Sequence, residues 1–60
     1  MNNKKENNKF AIGDTVSFGG DICRVIDIID YKNGYTYDIC IFNDDGMFLN
    51  VPEEKLEIIS

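Results

Sequence analysis

Apolar and polar residues alternate with a period of two along most of this chain, and the alternating segments are separated by Gly, Asn, Asp and Pro. Period two marks a strand with one buried face, because successive side chains leave a strand on opposite sides. GDTVSFGG (13–20) is the first such segment. Val16 and Phe18 share one face and Thr15 and Ser17 the other, with Gly13-Asp14 turning the chain in and Gly19-Gly20 turning it out. DICRVIDIIDYKNGYTYDICIF (21–42) is β-branched and aromatic on both sides of Asn33-Gly34, a dipeptide suited to a two-residue type I′ hairpin turn. That turn sets Lys32 opposite Tyr35. It predicts one face pairing Ile26 with Ile41, Ile28 with Ile39 and Asp30 with Tyr37, which reads as the core face. The other face pairs Val25 with Phe42, Asp27 with Cys40, Ile29 with Asp38 and Tyr31 with Thr36, a mixed and partly wet set.

MFLNV (47–51) predicts a fourth strand with Met47, Leu49 and Val51 inward and Phe48 and Asn50 opposite. Pro52 lacks an N–H and stops the pairing, PEEK suits a single 3₁₀ turn, and LEII (56–59) is a last short strand with Leu56 and Ile58 on one face. Five short strands without a helix predict an all-β protein. A barrel is the arrangement that removes exposed strand edges. MNNKKENNK (1–9) has no apolar residue after Met1 and is expected to be a disordered tail, so that the domain spans 10–60.

Charge changes the picture of what such a domain could bind. The chain carries 11 acids, 6 bases and no histidine, a formal charge of −5. The tail has a net charge of +2 and residues 10–60 have −7. An acidic body repels phosphate backbones, which disfavours nucleic acid as a partner. There is no apolar leader and no apolar run long enough to span a bilayer, so no membrane contact and a cytoplasmic setting are expected. Cys23 and Cys40 are too few for a disulfide framework and, in the predicted register, about 13 Å apart. No histidine and no third cysteine accompany them, so a structural zinc site is not expected.

The order of signals is similar to that of the SH3-like small barrels, in the broad sense that includes KOW, Tudor and CarD-type modules. The residues that carry the resemblance are IGDTV (12–16), CRVIDI (23–28), YDICIFNDDG (37–46) and VPEEKLEI (51–58). The resemblance implies a five-stranded SH3-like barrel with a single 3₁₀ turn before the last strand. Small prophage and mobile-element proteins share this layout, which implies an accessory or inhibitory role. Many relatives bind nucleic acid through basic loops, whereas the loops here read KNG and NDDG. Tudor-type relatives hold a cation in an aromatic cage. Tyr31, Tyr35, Tyr37, Phe42 and Phe48 are aromatics enough for one, but the predicted register spreads them over both faces.

Catalytic chemistry is not expected. No histidine serves as a base near neutral pH, and neither cysteine has an activating partner. Asn43, Asp44 and Asp45 could offer oxygens to a cation, but the run lacks the spacing of a calcium loop. Turn chemistry explains it: Asn and Asp bond their own backbone and Gly46 is expected to supply a positive φ. Glu53 and Glu54 are expected to be solvated on the 3₁₀ turn. Neither a cofactor nor a metal is therefore expected. Three readings remain open. The first is a non-enzymatic protein-interaction module whose partner carries a basic surface, with candidate contacts Tyr31, Tyr35, Phe48, Asp44, Asp45, Glu53 and Glu54. The second is nucleic-acid binding through Arg24, Lys32 and the tail lysines Lys4, Lys5 and Lys9. The third is a structural homo-oligomer that pairs through Val25, Ile29 and Phe42.

Overall fold

The structure of the protein is a computed structural model, and it describes residues 8–31 and 34–59. Five antiparallel strands form one sheet: β1 (Thr15–Phe18), β2 (Asp21–Tyr31), β3 (Gly34–Ile41), β4 (Met47–Pro52) and β5 (Glu57–Ile58). Their order across the sheet is β4-β3-β2-β1-β5. The first four strands form a meander, and β5 returns to pair with β1 through Val16–Ile58 and Ser17–Glu57. A 3₁₀ turn at Glu53–Lys55 precedes β5, and no α-helix occurs among the described residues. The β1–β2 hairpin closes on two residues, Gly19 and Gly20, at φ +59° and +90°. Positive φ at both positions is the type I′ geometry, whose twist matches that of the flanking strands and which Gly adopts without a steric cost.

The β2–β3 hairpin differs from its expected register. Gly34 pairs with Tyr31 and belongs to β3, so Asn33-Gly34 is not the two-residue turn; Lys32 and Asn33 lie outside the described residues. From there Asp30 faces Tyr35, Ile29 faces Thr36, Ile28 faces Tyr37 and Asp27 faces Asp38. The register then shifts between Val25 and Asp27, and beyond it Val25 faces Ile39, Arg24 faces Cys40 and Cys23 faces Ile41. Ile26 is the extra residue. A bulge of this kind opposes two residues to one, so the alternation of faces changes phase across it. Val25 and Cys23 therefore enter the core at 0% exposure, in place of the expected Ile26, which is 38% exposed. The expected wet-face grouping of Val25 with Ile29 and Phe42 is corrected by the same shift.

A second register shift lies between Tyr37 and Ile39 in the pairing of β3 with β4. Tyr37 faces Val51 and Ile39 faces Phe48, which leaves Leu49 and Asn50 opposite Asp38 alone. Asn50 is in the left-handed region at φ +56°, and its N–H donates to Asp38 Oδ1 at 2.9 Å. Asn tolerates this conformation better than most residues, because its short polar side chain can bond locally. The phase change turns Phe48 inward with Val51. Met47 and Leu49, expected to be inward, are 50% and 61% exposed. In the β3–β4 turn, Ile41 N–H donates to Gly46 O at 3.0 Å and Gly46 N–H to Asp44 Oδ1 at 3.3 Å. The positive φ expected at Gly46 occurs instead at Asn43, at +63°.

The core consists of Phe10, Val16, Cys23, Val25, Ile28, Tyr37, Ile39, Val51 and Leu56, with Phe18, Tyr35, Ile41 and Phe48 packed against it. Ile58, expected beside Leu56, is exposed. Cys23 and Cys40 are closer than the predicted register made them, because Cys23 faces Ile41, the residue after Cys40. They are free thiols on opposite faces, with Cys23 buried and Cys40 half-buried. Burial raises the Cys23 thiol pKa, and the charges of Asp21 and Cys40 add to the rise. Asn50 gives the sharpest test of the β4 bulge. A β-branched residue pays heavily in the left-handed region, so Asn50→Val should destabilise the fold by about 1–3 kcal/mol in a urea melt, whereas Asn50→Gly should be close to neutral.

Candidate functional site

Two surfaces and one buried network hold Asp44, Asp45, Phe48 and Glu53 among the residues singled out in the sequence. The network is built on Tyr37, in the middle of β3 and fully buried. Its O–H donates to Glu53 Oε2 at 2.5 Å. It accepts from Asn8 Nδ2 at 3.2 Å and from Phe10 N–H at 3.4 Å, which uses the full capacity of a phenol. Glu53 Oε2 also accepts from Lys9 N–H at 2.8 Å, and Asn8 Nδ2 donates to Phe10 O. The Phe10 ring meets the Tyr37 ring edge-on, with centroids 5.3 Å apart at 73°. Tyr37 thus ties the segment entering β1 to the 3₁₀ turn leaving β4. Asn8 is buried and anchors the segment that enters β1; residues 1–7 of the expected tail lie outside the described residues. Glu53, expected to be solvated, is half-buried and occupied by these bonds, while Glu54 is exposed.

The first surface is the outer face of β2, β3 and β4. Arg24, Cys40 and Met47 form one row across it, in direct register. Ile22 lies to one side of Arg24 along β2, and its carbonyl accepts from Phe42 N–H at 2.9 Å. Ile26 and Leu49 lie to the other side. Ile22, Ile26, Phe42, Met47 and Leu49 are all exposed, and the guanidinium of Arg24 sits over the Phe42 ring at 5.5 Å from its centroid. Acids bound this apolar band at both ends. Asp44 and Asp45 are exposed on the turn after Phe42, and Asp27 faces Asp38 beyond Ile26. Both bulges contribute to the band, since each turns a large apolar side chain outward.

The second surface is an open groove of about 330 Å³ lined by Phe18, Phe48, Leu49, Asn50, Val51, Pro52 and Lys55. Phe48, a candidate contact, meets Phe18 edge-on at its floor, with centroids 4.8 Å apart. Tyr35 is half-buried against the core rather than on either surface. The side chain of Tyr31 lies outside the described residues. Among the described residues the aromatics do not form a cage: Tyr37 is in the core, Phe48 is paired with Phe18, and Phe42 is on the outer face beneath Arg24. Among the described residues, no three Cys, Asp or Glu side chains converge as a metal site would require.

Sequence reasoning missed Ile22, Ile26, Met47 and Leu49 as surface residues because it placed no bulges. The positive φ of Asn50 leaves only a weak trace in sequence, an Asn within an apolar strand.

Burial pushes the Tyr37 phenol pKa above its ordinary value near 10, and the hydrogen bond to Glu53 raises it further. A group whose pKa is raised on folding binds its proton more tightly in the native state. Its contribution to stability is complete below the unfolded value and is lost as pH rises through the folded one. Urea stability should therefore decline above pH ~10, and a tyrosine absorbance titration should show one phenol ionising later than the others. Tyr37→Phe should cost about 1–3 kcal/mol and remove that alkaline decline, because it leaves Glu53, Asn8 and the Phe10 N–H short of a buried partner.

No helix among the described residues is long and apolar enough to cross a membrane. In comparisons with known proteins, no family model, no curated protein and no solved structure matches the chain.

Proposed function

We propose that this chain is a small protein-interaction module on an SH3-like barrel, acting by occupying a partner rather than by catalysis. The strand order β4-β3-β2-β1-β5 and the 3₁₀ turn before β5 support the barrel class. One observation carries the functional reading: five large apolar side chains stand exposed on one sheet face, with acids at both ends. Single exposed apolar residues are ordinary, but a contiguous group with a polar rim marks a contact surface. The acids indicate a partner with a basic surface, since complementary charge steers encounter and rejects like-charged competitors. Such a module suits an accessory or inhibitory protein.

The placement of the bases favours protein over nucleic acid. Arg24 sits over the Phe42 ring, and Lys55 shares the 3₁₀ turn with the acids Glu53 and Glu54. Lys4, Lys5 and Lys32 lie outside the described residues.

Carbodiimide crosslinking in the native host tests the proposal, because the reagent joins carboxylates to lysines in direct contact. The expected result is one protein whose lysines are joined to acids of this chain, and the adduct should fall at least fivefold in 0.5 M salt. Recovery of nothing above an untagged control would overturn the reading.

A further inference from the structure

The outer face also constrains the shape of its occupant. The band runs from Ile22 to Ile26 along β2, four residues or about 13 Å at ~3.3 Å each. Across the strands it runs from β2 over β3 to β4, two inter-strand spacings of about 4.8 Å, or roughly 10 Å. An α-helix is about 10–12 Å in diameter and rises 5.4 Å per turn. The face is therefore one helix wide and between two and three turns long. Exposed Ile22, Ile26, Phe42, Met47 and Leu49 present apolar surface on the order of a few hundred Å². That is short of the ~800 Å² per partner of a standard stable interface. A second copy of the chain would also set Asp27, Asp38, Asp44 and Asp45 against like charges. Area and charge both argue against self-pairing here and in favour of a short cationic segment.

We propose that the β2–β3–β4 outer face docks an amphipathic helix of a partner protein, with an apolar stripe over Ile22, Ile26, Phe42, Met47 and Leu49 and lysines or arginines reaching the acids at either end. Arg24 lies along Phe42 and keeps its charge at the centre of the face, so a partner cation there is excluded. The stripe must therefore be uncharged at its middle and basic at its flanks. This inference rests on the interaction-module reading and specifies the partner within it.

The test uses a synthetic helical peptide with leucines at i, i+3, i+4 and i+7 and lysines on both flanks, and a control peptide with glutamates in place of the lysines. Each is titrated into the ¹⁵N-labelled full chain. The lysine peptide should shift amides of residues 22–27, 38–42 and 44–49, and its affinity should fall severalfold between 50 mM and 300 mM salt. The double substitution Met47→Ser with Leu49→Ser keeps the charge and alters side chains outside the core, and it should weaken binding at least tenfold while the spectrum stays folded. The inference is overturned if the glutamate peptide binds equally well, if shifts centre on Phe18, Val51, Pro52 and Lys55 in the groove or scatter over all acids, or if no binding appears at millimolar peptide. Those outcomes leave the module reading standing, since it falls only on a blank crosslinking result in the host.

Discussion

Between Val25 and Asp27 the long strand β2 carries one residue more than its partner can match, and a chain whose side chains alternate cannot absorb that residue without exchanging its faces. β4 has the same feature at Leu49 and Asn50. The two irregularities set the spacing of the core. Val25 and Ile28 are both buried although three residues apart, and Phe48 and Val51 are likewise inward. A 60-residue chain gains little from burial beyond what ordering it costs, so it cannot leave the inner positions to smaller or polar residues. Bulges also bend a sheet and increase its twist, as a small sheet curling over its own core requires.

What the bulges expose follows from what they bury. Turning Val25 and Phe48 inward leaves Ile26, Met47 and Leu49 on the outside. The sheet then presents apolar residues on the face that a two-layer protein would have covered with a helix. The acids lie where they limit that face. Asp38 also holds the Asn50 amide, so the same side chain fixes the bulge and bounds the apolar band. On the other side of the sheet, Tyr37 joins the incoming segment to the 3₁₀ turn and satisfies polar groups that burial would otherwise leave unpaired. One strand, β3, thus supports both sides.

Much of the fold was legible in the sequence. Period-two patterning located the strands, Gly19-Gly20 marked a real I′ turn, and Pro52 preceded the 3₁₀ turn as its geometry requires. The hairpin register was not legible, because Asn33-Gly34 offered a strong local turn signal while pairing was set by the fit of Ile28, Tyr37 and Val51 across three strands. Bulges have no apolar period of their own. One shifts the pattern by a residue, and a strand such as CRVIDIID supplies isoleucines or valine in either phase. The acids of the β3–β4 turn and Glu53 on the 3₁₀ turn stand where the sequence places them, but Glu53 is half-buried where solvation is expected. Its role depends on a tyrosine sixteen residues away, a contact that composition and spacing do not encode.

The bulge in β2 is the claim on which the outer face depends, and backbone cross-strand nuclear Overhauser effects measure it directly. The structure predicts contacts between Val25 and Ile39, between Arg24 and Cys40, and between Ile28 and Tyr37. A regular hairpin, with contacts between Ile26 and Ile41 and between Ile28 and Ile39, would return Ile26 to the core and contradict the account.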